Sequence, residues 1–272
     1  MIPVEGEQLR RLQMVELELL QELDRICRKR EIHYTIIAGT MLGAVRHGGF
    51  IPWDDDADVA MLRSEYERFR EACKDELDPE RYYFQDHVCT AGYHWGYGKL
   101  RRRNTLFLRE HQEHMPYEQG IFIDVFPMDT IPDGQLKRTV LNFQCFCIRK
   151  LLWAKVGKYA DRNPARRKLF SLLDRIPEKT VLAVYDRLIE HTRECHSGWV
   201  RILMFPTPNR QYGYRRYWYE DSRTFYFEGI PFAGIEDAEG YLRFKFGDYW
   251  NLPPAEQRKT HPVSDFYISD SI

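Results

Sequence analysis

A single acid inside an otherwise apolar run sets the first constraint on the fold. Residues 120–126 read Gly120-Ile121-Phe122-Ile123-Asp124-Val125-Phe126, and Pro127 closes the run. Continuous β-branched and aromatic character over this length predicts a buried strand. A carboxylate inside such a strand is costly unless something pairs with it. The chain must therefore bring a partner to Asp124, or leave it on an edge strand facing water. A neighbour lies upstream, where Trp53-Asp54-Asp55-Asp56-Ala57-Asp58-Val59 opens a second strand over residues 56–62. Polar and apolar residues alternate there, which puts Asp56 and Asp58 on one face. Two carboxylates so placed can share a hard divalent cation, and without one they repel. Asp56, Asp58 and Asp124 are thus the expected metal ligands. The competing reading is an acidic loop open to solvent.

The surrounding pattern is that of an α/β protein. An amphipathic helix is predicted over residues 7–30, where Leu9, Leu12, Val15, Leu19, Leu23 and Ile26 recur every three or four positions. Residues 34–38 form a short strand that stops at Gly39, and Thr40 opens a brief helix ending near Gly48. Ser64 is read as the cap of a helix reaching about residue 77. Residues 82–85 and 93–103 read as strands, with Asn104 between the second and a further short one. From 135 to 195 the pattern is helical, broken at Asn163-Pro164 and Ile176-Pro177. Residues 223–232 return to strand and 236–246 to helix. The tail, 247–272, carries Pro253, Pro254 and Pro262 and is expected to be mostly irregular. This divides the chain into a core at 1–133, a helical insertion or subdomain at 134–200, and a C-terminal part at 201–272 that completes the core.

Other residues group around the aspartates. Gly39-Thr40 sits at a strand-to-helix turn, where backbone N–H groups and a hydroxyl suit a phosphate, though any helix can begin with Thr. Lys99 and Arg101 alternate onto one strand face, either as a grip on a diphosphate or as an ordinary charged surface. Arg46 precedes the acidic loop and is placed to orient Asp54 or to contact phosphate. The aromatic residues Phe50, Trp53, Tyr93, Trp95, Tyr97 and Trp250 are expected mostly in the core, with one or two near the aspartates able to hold a quaternary ammonium.

Bulk properties narrow the class. A net charge of −1 argues against a nucleic-acid-binding polycation. The six cysteines form no C-x-x-C pair, which fits a reducing compartment. Residues 1–7 lack the basic, apolar character of a signal sequence, and no apolar stretch reaches transmembrane length. The expectation is a cytoplasmic protein.

The residues also carry a resemblance. Ala38-Gly39-Thr40-Met41-Leu42-Gly43-Ala44-Val45-Arg46-His47 followed by Gly49-Phe50-Ile51-Pro52-Trp53-Asp54-Asp55-Asp56-Ala57-Asp58 closely resembles the signature of the LicD family. Ile123-Asp124-Val125-Phe126-Pro127-Met128-Asp129 is similar to its second block, and Lys99-Leu100-Arg101 with Asn104-Thr105 to a shorter one between them. Phe246-Gly247-Asp248-Tyr249-Trp250, Leu252-Pro253-Pro254, Arg258 and His261 are similar to its C-terminal block. The likeness spans residues 32–261 and is least in the helical region.

The resemblance implies a nucleotidyltransferase-like mixed sheet flanked by helices. It implies transfer of phosphocholine from CDP-choline to a hydroxyl of a cell-surface glycan (teichoic acid or lipopolysaccharide) or its lipid-linked precursor, releasing CMP. Mg²⁺, or Mn²⁺ in its place, would sit on Asp56, Asp58 and Asp124. Gly39, Thr40, Arg46, Lys99, Arg101, Trp53 and His261 would face the substrates, and Asp54 or Asp124 would take the acceptor's proton. The alternatives are another donor (CDP-ribitol, CDP-glycerol or an NTP) and an inactive glycan-binding scaffold. No counterpart of the zinc site of the fukutin-related enzymes is present.

One further expectation concerns location. Residues 135–175 hold eleven basic and two acidic residues amid Leu141, Phe143, Phe146, Ile148, Leu151, Leu152 and Trp153. Such a segment either packs as a lid with its charges solvated or lies on the inner face of the plasma membrane.

Overall fold

The computed structural model describes residue 2 and residues 4–207, 209–261 and 263–269. In chain order its elements are α1 (Gly6–Arg30), β1 (Thr35–Ile36), α2 (Ala38–Arg46), β2 (Asp58–Leu62), α3 (Arg63–Glu76), β3 (Tyr82–Gln85), β4 (Gly98–Arg102) and β5 (Thr105–Arg109). There follow β6 (Phe122–Thr130), α4 (Gln135–Ala160), α5 (Pro164–Leu173), α6 (Glu178–Arg193), β7 (Trp199–Arg201), β8 (Tyr214–Arg215), β9 (Ser222–Phe227), β10 (Ile230–Ile235), α7 (Ala238–Phe246) and β11 (Val263–Ile268). The fold is α/β, as expected. Its main sheet runs β3-β4-β6-β2-β1-β10-β9, with β7 joining β6 and β8 joining β7. The sheet is mixed: β2 lies parallel to β6 and β1 parallel to β10, while the other pairings are antiparallel.

The apolar stripe of α1 explains its place. Leu12, Leu19, Leu20, Leu23 and Ile26 are buried, and the helix packs with α3 against β4 and β6. Glu31 ends it in the left-handed region at φ 51°, its N–H returning to the carbonyls of Arg28 and Cys27. Lys29 and Arg30 in the last turn complement the helix dipole and reach Glu76 of α3 at 2.8 Å each. At the other end of α3, Arg63 makes a bidentate, buried pair with Asp129 of β6 at 2.7 and 2.6 Å. α3 therefore begins at Arg63, with Leu62 before it and no capping side chain, rather than behind Ser64.

Three further expectations need correction. The strand foreseen at 93–103 begins only at Gly98, because Gly92, at φ 78°, turns the chain and Tyr93 and His94 are buried in the loop that follows. The strand holding Asp124 does not stop at Pro127 but continues to Thr130. Asp124 N–H donates toward β2, to the carbonyl of Ala57, so alternation aims the nitrogen of residue 127 at the opposite edge. On that edge β4 ends opposite Val125 and β7 begins opposite Asp129. The proline thus falls where no ladder partner is asking for an N–H. Third, the tail is not wholly irregular. β11 pairs antiparallel with β5, so the C-terminal segment returns to the core.

The helical stretch divides at both expected breaks. Asn163 caps α5 by accepting from the N–H groups of Ala165 and Arg166, with Pro164 at the first helical position. Pro177 precedes α6. α4 and α6 share a separate core of Leu141, Cys145, Ile148, Leu152, Val181, Tyr185 and Leu188. No helix of the described residues is long and apolar enough to cross a membrane. All six cysteines are unpaired.

Candidate active site

The sheet order brings three charged side chains into one row. Asp58 on β2 stands opposite Asp124 on β6, and Asp124 stands opposite Lys99 on β4. Residues in register on adjacent strands project to the same face. The Lys99 ammonium reaches Asp124 Oδ1 at 2.5 Å, and it also lies 3.2 Å from the ring centroid of Phe122. Burial draws the Lys99 pKa down to about 7, against the opposing pull of Asp124. This answers the question that the sequence posed, since the acid in the apolar strand has a cation beside it.

The loop before β2 packs more acid around the row. Strand character begins at Asp58, so Asp56 lies in the loop rather than on the strand. Burial raises the pKa of Asp58 well above the usual carboxylate range, with Asp56, Asp124 and Asp54 adding repulsion. Asp56 is also raised by burial; His261 partly offsets this and Asp124 adds to it. Asp54 is pushed up to about 8 by burial and then by its neighbours Asp56 and Asp55. A further acid comes from α1. Glu16 is 2% exposed, and its Oε2 has no hydrogen-bond partner. Burial raises its pKa well above normal, and Asp56, Asp55, Asp54 and Asp58 push the same way.

Local chain geometry fixes this cluster. The Thr40 hydroxyl accepts the backbone N–H of Asp58 at 2.7 Å, so the first turn of α2 holds the start of β2. A Cβ on Gly39 would meet Asp54 Oδ2 at 2.5 Å, so glycine lets that carboxylate approach the helix start. Gln13 on α1 donates to the carbonyl of Asp54 at 3.0 Å. Asp55, 2% exposed, accepts both the backbone N–H and the ring Nδ1 of His261, at 2.7 and 2.8 Å. The chain segment leading into β11 therefore closes over the acids. Asp55, Asp56 and His261 each offer a ligand atom, all within 4.8 Å of one another.

A cleft of about 570 Å³ adjoins the row. Lys99, Arg101, Arg109 and Arg162 supply its positive charge, Trp95, Tyr97 and Trp153 its aromatic faces, and His261 part of its rim. Arg101 is held by Gln85 Oε1 at 2.7 Å and the Gly120 carbonyl at 2.6 Å, so its guanidinium is fixed as it meets the cleft. The arginine Arg109 carries an Nε without a partner.

Not every residue singled out in the sequence reaches this place. Arg46 donates to the carbonyl of Tyr249 at 2.5 Å, tying α2 to the tail, and makes no hydrogen bond to Asp54. The Trp53 ring is covered by the Arg258 guanidinium at 4.8 Å. Phe50 packs on Phe227 in the core, and Trp250 lies exposed beside Tyr249. Of the six aromatic candidates, Trp95 and Tyr97 line the cleft. Glu16, Asp55, Arg109 and Trp153 were not foreseen. Asp55 stood within the acidic run, and Glu16 gave a sign as an acid four residues from Leu12 and Leu20 on an apolar stripe.

Residues 31–150, which hold β1 through β6 and the row of charges, match the LicD/FKTN/FKRP nucleotidyltransferase domain. The likeness to that domain thus falls on the same segment that builds the site. Over nearly its whole length, the chain is 27% identical to the lipopolysaccharide cholinephosphotransferase LicD of Haemophilus influenzae, with 96% of this chain and 98% of that protein covered. An uncharacterized protein of Rickettsia prowazekii is 42% identical over 54% of this chain and half of its own length. The chain thus carries a LicD/FKTN/FKRP nucleotidyltransferase domain and is similar to LicD over nearly its whole length.

Proposed function

We propose that this protein transfers phosphocholine from CDP-choline to a hydroxyl of a cell-surface glycan or its lipid-linked precursor, releasing CMP. The observation that carries this reading is the cleft beside the aspartates, where fixed cations and aromatic faces converge. Guanidinium and ammonium groups suit a diphosphate, and aromatic faces suit a quaternary ammonium. The H. influenzae relative, named for cholinephosphate transfer and lipopolysaccharide, supports the same transferred group and an acceptor of that kind.

The acid cluster fits a divalent cation. Asp54, Asp56 and Asp58 are hard oxygen donors whose protonation is raised by burial and mutual repulsion, a penalty that a bound cation relieves. Asp56, Asp58 and Asp124 would hold Mg²⁺, or Mn²⁺ in its place. When bound, it would supply neutralisation of the charge that grows on CMP as it leaves.

The chain's own residues do the rest. Lys99, Arg101 and Arg109 hold the diphosphate oxygens, and Thr40 keeps Asp58 in place through its backbone. The acceptor oxygen attacks the β-phosphorus, the bond from that phosphorus to the CMP oxygen breaks, and the acceptor's proton passes to a carboxylate. Asp54 is the better placed, since Asp124 is already paired with Lys99 and a base should titrate near the working pH. The reading puts the protein in the cytoplasm, in peripheral contact with the inner face of the plasma membrane. The test is CMP release from a panel of CDP-linked donors with Mg²⁺ present. CDP-choline is expected to be turned over best. Preference for CDP-ribitol or CDP-glycerol, or pyrophosphate release from an NTP, would refute the donor.

A further inference from the structure

A second cavity lies on the helical part, away from the carboxylates. It is an apolar groove of about 770 Å³ between α4 and α6. The two helices run antiparallel. Lys155 late in α4 pairs with Glu178 at the start of α6 at 3.4 Å, while Leu136 early in α4 and Cys195 just past α6 line the same groove. On α4 the groove is edged by Leu136, Val140 and Phe143, at the spacing of one helix face. These are 78%, 52% and 65% exposed, and Val184 opposite is 47% exposed. Large apolar side chains in such a row mark a surface that meets something apolar.

Charge identifies the partner. No acidic residue lines the groove, whereas Lys137 and Arg187 do, and neither takes part in an ion pair among the described residues. α4 has six basic residues and no acidic one over its 26 positions; Arg138 is buried and Lys155 and Lys158 pair with Glu178 and Asp174. The adjoining α5 repeats the composition, with Leu169 and Leu172 exposed beside Arg167 and Lys168. A second copy of the chain docking face to face would bring Lys137 and Arg187 of both copies together in a groove that offers no acid. An anionic lipid surface satisfies both the charge and the exposed apolar row.

We infer that the face of α4 and α6 around Leu136, Val140, Phe143 and Arg187 docks the protein on an anionic lipid bilayer, with the groove receiving acyl chain. The same helix then continues into the catalytic cleft, which its later residues Trp153, Val156 and Ala160 help to line. Phe143 and Trp153 are ten residues apart, about 15 Å along the axis. A hydroxyl presented from the lipid surface is thus delivered to the cleft along α4. This inference goes beyond the donor assignment and holds for any acceptor carried on a lipid.

The test is co-sedimentation of the whole protein, without donor or acceptor, with phosphatidylcholine vesicles containing about one-third phosphatidylglycerol and with pure phosphatidylcholine vesicles. Binding is expected to the anionic vesicles alone. It should weaken at least tenfold as salt rises from about 0.1 M to about 0.5 M. Val140→Ser with Phe143→Ser, and separately Lys137→Glu with Arg187→Glu, should each reduce binding at least tenfold. All four side chains are surface groups, and an unchanged Tm shows that the fold is kept. Three outcomes overturn the inference: no binding to anionic vesicles at low salt, binding that neither pair of substitutions reduces, or a dimer in sedimentation analysis that Phe143→Ser dissociates, which would make a second copy the occupant.

Discussion

Lys99 and Asp124 face each other across the pairing of β4 with β6, and the ammonium touches the same carboxylate that the site would use for a cation. The aspartates are therefore not equivalent, although all three are expected to be essential. Asp58→Ala and Asp56→Ala should each lower CMP release on the order of a hundredfold or more. Both relieve repulsion, so Tm of the metal-free protein should hold or rise. Asp124→Ala removes Lys99's counter-charge and should cost up to roughly 3 kcal/mol. Adding Lys99→Met should recover most of that stability and none of the activity. Thermal or urea unfolding of the four proteins checks the pattern, and a stable Asp124→Ala protein would contradict it.

Cation binding should release protons near neutral pH. The Asp54 carboxyl, pushed up to about 8, is largely protonated at pH 7 and would ionise beside a bound cation. Mg²⁺ titrated by calorimetry in two buffers of different ionisation enthalpy should show the release, and Asp54→Asn should diminish it. Identical heats in both buffers would exclude this coupling.

The aromatic wall predicts a donor preference. Trp153→Ala should weaken CDP-choline binding about tenfold while affecting CDP-ethanolamine less, since a quaternary ammonium gains most from a ring face. Trp53→Ala should leave that preference unchanged, because Arg258 already covers its ring. Equal losses for both donors on Trp153→Ala would count against a choline subsite.

His94 predicts an acid limb to stability. It is fully buried, its Nε2 lacks a partner, and burial lowers its pKa to about 4. The unfolded chain takes up this proton near pH 6.5, whereas the native state resists until about pH 4. Its contribution is therefore fully present above pH 6.5 and is lost as pH falls toward 4, by up to about 3 kcal/mol. His94→Phe should flatten the dependence of unfolding free energy on pH within that window. An unaltered slope would mean that His94 titrates normally.

Much of this was legible in the sequence, and for identifiable reasons. Asp124 could be singled out because a buried acid is costly wherever it occurs, and that argument needs no knowledge of the partner. The breaks at Asn163-Pro164 and Ile176-Pro177 could be placed because capping and proline effects are local. Lys99 beside Asp124 was harder, since the pairing of β4 with β6 depends on sheet order. His261 on Asp55 spans 206 positions and rests on the pairing of β11 with β5, which three nearby prolines obscured. Arg46 and Trp53 went elsewhere because tail residues Tyr249 and Arg258 took them up.

The pairing of β1 with β10, and of β11 with β5, also bears on how the protein is made. The interior strand β1 borders one segment near the start of the chain and another about two hundred residues later. During vectorial synthesis the stretch bearing Asp54 to Asp58 leaves the ribosome long before β10 and His261 exist. The free edge of β1 must wait unpaired, and closing so distant a contact is slow. Nascent chains of this protein should thus spend an extended interval with an open strand edge, the form most in need of a chaperone.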